Sequence, residues 1–153
     1  CRSTRTLKSL QWTLLVEDTI DVQLVFREWY PCDCAFEFRL FFNRDINQVT
    51  VLTQYNSAFV VPELQDEPFA RDMEQKVLNK FNEILPMLPS TLQKFTADFV
   101  VNVETNEVFL IEINPFAPIA GTGCFDWENY DDRDLSLRKD RMSFVFNTNQ
   151  LRT

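Results

Sequence analysis

The chain has 153 residues, a net charge of −8, fifteen Phe and no His. This length suits about one domain, and a hydrophobic fraction of 45% supports a packed core rather than a disordered chain. The acidic balance argues against a nucleic-acid-binding surface, because phosphate contacts need clustered Lys and Arg. The lack of His excludes a His-based catalytic triad and a His-ligated zinc site.

Three strands are predicted in the first part of the chain, over residues 22–30, 36–43 and 48–55, with turn-forming residues between them. Alternation in the second strand places Glu37 and Arg39 on one face, because successive side chains of a strand point to opposite faces. The other face of that strand is bulky and apolar, and its residues are Phe36, Phe38, Leu40 and Phe42. The pattern indicates an antiparallel meander with one face turned to a core.

A helix is predicted over residues 69–85, because apolar residues recur at spacings of three and four. The residues of this stripe are Phe69, Met73, Val77, Phe81 and Ile84. Pro86 and Pro89 end the helix. Antiparallel strands with one covering helix indicate the α+β class.

The stretch that begins at Asp98 predicts a β-hairpin, because two apolar-rich runs flank a polar turn. With a three-residue loop over 104–106, Asp98 lies directly opposite Glu112. Asn106 then takes the left-handed position that closes such a loop. A two-residue loop would instead turn Glu112 to the apolar face and bury its carboxylate without a partner.

In this register the hairpin has one apolar face, formed by Phe99, Val101, Val103, Phe109, Ile111 and Ile113. The opposite face carries Asp98, Val100, Asn102, Val108, Leu110, Glu112 and Asn114. Two carboxylates and one amide oxygen, from Asp98, Glu112 and Asn114, therefore converge, and hard oxygen ligands of this kind suit Mg²⁺. The alternative is a solvated polar sheet face without a metal.

Six short segments, in order along the chain, carry a family resemblance: Val25-Phe-Arg27-Glu-Trp29-Tyr, Glu37-Phe-Arg39, Gln54-Tyr55-Asn56, Ala97-Asp98-Phe-Val-Val, Ile111-Glu-Ile-Asn-Pro-Phe116 and Phe125-Asp-Trp127. Together they resemble the cell-division-cycle-123 family of eukaryotic ATP-grasp proteins. Family members tend to have Gln-Arg-Asp where this chain has Tyr55 in the middle position. A strand that returns near the C-terminus in the family is echoed here by residues 143–147.

The resemblance implies an ATP-grasp-like α+β fold, in which an antiparallel sheet is covered by one main helix and the upstream half of the cleft is missing. It implies an N-terminal remnant or linker over residues 1–21, an ATP-grasp-like C-terminal subdomain over 22–130 and a C-terminal segment over 131–153. The chain begins at Cys1 rather than Met, which favours a partial sequence. In a cytoplasmic family, we expect its cysteines to be reduced thiols.

ATP and Mg²⁺ are the cofactors that the resemblance implies, and it implies no catalytic residue. The implied site consists of Asp98, Glu112 and Asn114 for Mg²⁺, Arg39 and Arg27 for the phosphates, and Val100 and Leu110 for the floor of the nucleotide pocket. A guanidinium suits bidentate contact with phosphate. The alternative for the two arginines is an ion pair with Glu28 or Glu37, or exposure to solvent.

The function that the resemblance implies is assembly of eukaryotic translation initiation factor two, through its gamma subunit, in the cytoplasm. No nucleic-acid or membrane partner is expected. Two alternatives stay open: an ATP-dependent carboxylate ligase, in which the metal serves phosphoryl transfer, and a non-nucleotide protein-interaction domain. The acidic segment 126–134 is either a solvated face or a partner-binding patch anchored by Trp127 and Tyr130.

Overall fold

The computed structural model describes residues 33–58, 60–117 and 120–124, the backbone of 143–145, and Phe26. All of these except Phe26 belong to one compact unit, Pro31–Thr153. The elements are β1 (Glu37–Asn43), β2 (Gln48–Gln54), α1 (Glu67–Ile84), β3 (Lys94–Asn102), β4 (Glu107–Pro115) and β5 (Ser143–Val145), with short 3₁₀ turns at Cys34–Phe36, Pro62–Gln65 and Leu85–Met87.

The strands form one sheet in the order β4-β3-β1-β2-β5. The first four pair antiparallel, and β5 pairs in parallel with β2. The predicted antiparallel sheet with one covering helix is therefore confirmed for β1 to β4, whereas β5, the strand suggested near the C-terminus, adds a parallel edge. No helix in the described part of the chain combines the length and apolar character needed to cross a lipid bilayer.

Helix α1 begins two residues before its predicted start, because Asp66 caps it. The Asp66 carboxylate accepts a hydrogen bond of 3.1 Å from the backbone N–H of Phe69, which satisfies one of the free donors of the first turn. Pro68 lies in that first turn, where its missing N–H costs nothing. The helix ends at Ile84, and Pro86 follows in a 3₁₀ turn.

The core lies between α1 and the face of the sheet that α1 covers, called the helix face. The buried side chains of α1 are Ala70, Met73, Val77, Phe81 and Ile84. They pack against sheet residues that include Phe38, Leu40, Phe42, Leu52, Phe95, Ala97, Phe99 and Val101. Four of the five residues in the predicted helical stripe are buried, while Phe69 is only partly buried and packs at the edge of the core.

The loop of the β3–β4 hairpin differs from the prediction. It contains four residues, 103–106, because Asn102 pairs with Glu107, so the predicted loop over 104–106 is one residue too short. Asn106 has a φ of 60°, which confirms its predicted left-handed conformation.

A β-bulge explains how the hairpin recovers its predicted pairing at the far end. Asp98 pairs with Glu112 as predicted, but Phe99 pairs with Leu110, so that Ile111 is an extra residue in β4. An extra residue shifts the alternation of side chains by one position. Leu110 therefore packs against the core on the helix face, and the prediction that it shares a face with Glu112 is wrong.

Other residues of the predicted apolar face are also displaced by the bulge. Val103 lies in the exposed loop, and Phe109 pairs with Val100, whose neighbours in β3 belong to the helix face. Val108, predicted on the opposite face, packs against the core instead. Phe99, Val101 and Ile113 lie on the helix face as predicted.

Several predictions concern residues outside the described part. Phe26 is the described residue of the predicted strand 22–30, and it is exposed and outside any strand. Arg27 and the segment 126–134, with Trp127 and Tyr130, are not described. The predicted boundaries at residues 21 and 130 also lie outside the described residues, so the proposed domain division stays a prediction.

Phe81 provides a test of the core. Its ring lies 5.1 Å from that of Phe42, 6.3 Å from that of Phe95 and 6.4 Å from that of Phe99. We expect Phe81→Ala to lower the free energy of unfolding by about 3–5 kcal/mol, because it leaves a cavity among these rings. Denaturant unfolding followed by circular dichroism measures this change, and Met87→Ala, at an exposed position, is the control. Equal stability of the two variants would contradict this packing.

Candidate functional site

The face of the sheet opposite the helix face, called the site face, contains a buried ion pair. Arg39 lies in the middle of β1, directly between Thr53 of β2 and Asp98 of β3. Its Nε donates to Asp98 Oδ1 at 2.7 Å and its Nη2 donates to Asp98 Oδ2 at 2.6 Å. Both residues are almost fully buried. The hydrogen-bonded partner of Arg39 is therefore Asp98, and not Glu37, which was an alternative in the sequence analysis.

The guanidinium of Arg39 is enclosed on its remaining sides. Its Nη1 donates to the backbone carbonyls of Ala120 and Gly121, and the ring of Tyr55 lies 4.7 Å from its Cζ. Four hydrogen bonds engage a side chain that carries five N–H groups. Stacking on Tyr55 adds a cation–π contact, so Arg39 is held by carboxylate, carbonyls and ring together.

Residues 120–124, called the strap, lie against the site face at two points. The first is the contact of the two carbonyls with Arg39. At the second, the backbone N–H of Cys124 donates to Thr53 Oγ1 at 3.0 Å and to the carbonyl of Gln54 at 3.2 Å. Gly123 has a φ of +64°, and a Cβ on it would lie 2.3 Å from the Gln54 carbonyl oxygen. Only glycine allows this close approach.

The predicted metal ligands are brought together on the site face. Asp98 and Glu112 are cross-strand partners, and the Nδ2 of Asn114 donates to Asp98 Oδ2 at 3.1 Å and to Glu112 Oε1 at 2.8 Å. The amide N–H₂ group of Asn114 therefore lies between the two carboxylates. Asp98 is buried, Asn114 is partly buried and Glu112 is exposed, so the cluster extends from the ion pair to the surface.

The donor chemistry of this cluster fits a hard divalent cation. The Asn114 amide now presents its nitrogen to the two carboxylates, and a rotation of the amide would present its oxygen instead. Among the described residues, no three His, Cys, Asp or Glu side chains are arranged to hold a metal ion. A cation at this cluster would therefore depend on the amide oxygen of Asn114 and on water, as Mg²⁺ commonly does.

Burial changes the titration of the ion pair. It raises the pKa of the Asp98 carboxyl above its usual value, and the charge of Glu112 adds to this, whereas the hydrogen bonds and charge of Arg39 lower it. For Arg39, burial lowers the pKa of the guanidinium, but the hydrogen bonds and charge of Asp98 outweigh this and raise it overall. Each charge of the pair is buried away from water, so it is stabilised chiefly by the opposite charge of its partner.

Glu37 is an acidic neighbour that the sequence reasoning did not place in the site. It lies in β1 two residues before Arg39 and is half-buried. Burial raises the pKa of its carboxyl, the charges of Asp98 and Glu112 raise it further, and Arg39 lowers it. The alternation of side chains in β1 already placed Glu37 on the same face as Arg39, so the sequence did contain a signal that Glu37 lies near the site.

Val100 and Leu110, the two residues predicted to form the floor of the nucleotide pocket, lie on opposite faces of the sheet. Val100 is buried and belongs to the same alternation of β3 as Asp98. Leu110 packs on the helix face, away from Asp98 and Glu112, because of the bulge at Ile111.

These features define the chain as an α+β domain with an antiparallel sheet, one covering helix, and a buried ion pair joined to an acidic cluster. The D123 family model matches residues 9–152. The chain therefore belongs to the D123 family, which confirms the resemblance seen in the sequence.

Two yeast relatives and one solved structure are similar to the chain. It is 30% identical over 135 residues to "Cell division cycle protein 123" of Candida glabrata, an alignment that covers 78% of this chain and 34% of the relative. It is 32% identical over 116 residues to "Translation initiation factor eIF2 assembly protein" of Vanderwaltozyma polyspora, covering 70% and 27%. The chain thus spans about a third of the length of these relatives.

The solved structure is that of Cdc123 from Schizosaccharomyces pombe. It superposes with a TM-score of 0.62 at 19% identity, covering 80% of this chain and 44% of that chain. This similarity shows that the two chains share their fold over the matched part.

The raised pKa of Glu37 predicts a pH-dependent effect of Glu37→Gln. The folded state binds the proton of Glu37 more tightly than the unfolded state, so the charged form destabilises the folded protein at neutral pH. We expect Glu37→Gln to be more stable than the parent near pH 7. The advantage should shrink as the pH falls through the raised folded-state pKa towards the ordinary pKa of a glutamate carboxyl.

Unfolding by urea at several pH values measures this difference. Glu104→Gln removes the same charge in the exposed hairpin loop and is the matched control. A variant of Glu37 that is less stable than the parent at neutral pH would show that attraction to Arg39 outweighs burial and the charges of Asp98 and Glu112.

Proposed function

We propose that this chain supplies the Mg²⁺ site of an ATP-grasp-like, ATP-binding protein that assists assembly of translation initiation factor eIF2. The observation that supports the proposal most is the convergence of Asp98, Glu112 and Asn114 at one end of the hairpin. Membership of the D123 family adds support, because the relative from Vanderwaltozyma polyspora cited above has a name that refers to eIF2 assembly.

In this proposal the three oxygen-bearing side chains hold the cation, which when bound neutralises and orients the phosphate oxygens of ATP. Asp98 offers a buried carboxylate whose orientation is already fixed, whereas Glu112 offers an exposed one. Val100 lies beside Asp98 in the alternation of β3 and suits the floor of the nucleotide pocket. Leu110 lies on the other face of the sheet and is left out of this pocket.

Two arginines were assigned to the phosphates from the sequence. Arg39 was predicted to contact phosphate, yet four hydrogen bonds already engage its guanidinium. Arg27 remains a phosphate contact in the proposal on the strength of the family resemblance alone.

For the partner, we propose the gamma subunit of eIF2, and for the compartment, the cytoplasm. The relative from Vanderwaltozyma polyspora is named an eIF2 assembly protein. The net charge of −8 agrees with a partner that is a protein rather than a nucleic acid. ATP binding, rather than a ligase reaction, is the activity we assign to the site.

A non-nucleotide protein-interaction domain is the second candidate. The observation that favours it is the enclosure of Arg39 by Asp98, the strap and Tyr55, which leaves little of the guanidinium for a ligand. In that case the acidic cluster would have only a structural role, and the chain would contact its partner without ATP.

Substitution of Glu112 tests the proposed site with the least damage to the fold. Glu112 is exposed and outside the buried ion pair, so Glu112→Gln removes a ligand charge without leaving Arg39 unpaired. We expect the affinity for Mg-ATP to fall by at least about tenfold, measured by titration calorimetry. Glu104→Gln, which removes a charge in the exposed loop, should bind like the parent.

The same experiment separates the candidate functions. If neither this chain nor a longer version that restores the full length of the relatives binds Mg-ATP, the nucleotide proposal is wrong, and the interaction domain is favoured. If Mg-ATP binds and ADP is released only when a carboxylate and an amine are added, the ligase alternative replaces the assembly role. Binding of purified eIF2 gamma subunit that strengthens with Mg-ATP would support the proposal as stated.

A further inference from the structure

Arg39 joins two parts of the molecule that the sequence places far apart. One is the carboxylate of Asp98, 59 positions along the chain, and the other is the strap, 81 positions away at Ala120. We infer that Arg39 is a positioning residue, which fixes the orientation of Asp98 and the place of the strap together, and is not a phosphate contact. The inference rests on the proposed cation site for its functional meaning.

Four of the N–H donors of Arg39 are already engaged. Its Nε and Nη2 are directed at the two oxygens of Asp98, and its Nη1 is directed at two carbonyls of the strap. A phosphate contact would require the guanidinium to give up some of these bonds. Because Asp98 is fully buried, releasing it would leave an unpaired charge in a dry environment, which is strongly unfavourable.

The carboxylate of Asp98 has acceptor positions beyond the two that Arg39 uses. A carboxylate offers about four acceptor positions. The two bonds from Arg39 use one position on each oxygen, and Asn114 Nδ2 uses a further position on Oδ2. Arg39 therefore fixes the plane of the carboxylate, and the side towards Glu112 and Asn114 accepts a cation once the Asn114 amide rotates to present its oxygen in place of its N–H group. Arg39 and the cation can bind Asp98 at the same time.

The strap contacts Arg39 at one end and β2 at the other. Its carbonyls at Ala120 and Gly121 lie on Arg39, and its other end is held by the close approach of Gly123 to the Gln54 carbonyl. A displaced strap would leave Arg39 with two fewer acceptors and a looser hold on Asp98. The two effects are thermodynamically linked. The free energy by which the position of the strap changes the affinity for the cation equals the free energy by which the bound cation changes the equilibrium of the strap.

Arg39→Lys tests the positioning role, because lysine keeps the charge but loses the planar fork that binds two oxygens at once. Two readouts are measured. Mn²⁺ binding without nucleotide, followed by electron paramagnetic resonance, reports on the acidic cluster alone. Amide hydrogen exchange at Ala120 and Cys124 reports on the strap, whose N–H groups are hydrogen-bonded in the structure.

We expect Arg39→Lys to weaken Mn²⁺ binding by about tenfold or more and to speed exchange in the strap by a similar factor. A residue that only contacts phosphate gives a different result. In that case Mn²⁺ binding and strap exchange would stay at the parent values, and only the affinity for Mg-ATP would fall. That result would overturn the inference.

Gly123→Ala is a second variant that touches neither Arg39 nor the acidic cluster. Its new methyl group collides with the Gln54 carbonyl, so we expect faster exchange in the strap and at least threefold weaker Mn²⁺ binding. Gly121→Ala is the matched control. Its φ of +76° gives the same left-handed strain, but its Cβ would meet only Arg39 Nη1, at an ordinary distance of 3.5 Å. Its effects should be clearly smaller than those of Gly123→Ala.

The outcomes separate this inference from the proposed function. If the parent binds Mn²⁺ and Gly123→Ala loosens the strap while leaving Mn²⁺ affinity unchanged, the coupling is wrong and the cation site stands. If the parent binds neither Mn²⁺ nor Mg-ATP, the proposed function fails, and the inference fails with it. If both variants lose Mn²⁺ affinity in step with faster exchange, and circular dichroism shows that both are folded, the inference is supported.

Discussion

The buried pair of Arg39 and Asp98 is the interaction on which the site face depends. Two full charges leave water only when their hydrogen-bonding groups are matched, because desolvation otherwise exceeds the attraction between them. Here the match is nearly complete, because both carboxylate oxygens accept hydrogen bonds from the guanidinium and two backbone carbonyls accept from its Nη1. The pair joins β1 to β3, and it also requires a cover, which the strap and Tyr55 provide. The sheet, its cover and the acidic cluster are thereby parts of one arrangement.

The bulge at Ile111 solves a different problem within the same hairpin. A β-strand with strict alternation would place Leu110 and Glu112 on one face, so either an apolar side chain or a carboxylate would be on the wrong side. One extra residue lets Leu110 pack on the core while Glu112 faces Asp98. The hairpin therefore serves as a wall of the core over half its length and as the support of the acidic cluster over the other half.

Much of this fold follows from local pattern. The alternation of Phe38 and Leu40 against Glu37 and Arg39 predicts the two faces of β1, and the stripe from Met73 to Ile84 predicts the buried side of α1. The pairing of Asp98 with Glu112 and the left-handed Asn106 are also predictable, because turn chemistry and side-chain faces are encoded in a few neighbouring residues.

Three of the features that were missed depend on distant contacts. Nothing near Ile111 in the sequence indicates a bulge, because the bulge is required only when Leu110 packs against the core. The partner of Arg39 could be chosen from several carboxylates, and the choice of Asp98 depends on the order of the strands in the sheet. The position of Gly123 in the strap is likewise set by a carbonyl some 70 residues earlier, at Gln54.

The position of β4 in the sheet has a consequence for how the molecule opens. Within the described sheet, β4 is an outer strand with β3 as its one neighbour, and it supplies Glu112 and Asn114, while the phenylalanine-rich core is centred on β1, β3 and α1. Strand edges open in local fluctuations that cost less than global unfolding. Detachment of the end of β4 would separate two of the three oxygen donors from Asp98 while the core stayed folded. Ligand affinity and overall stability are then governed by two separate equilibria, and sequence changes that affect one need not affect the other.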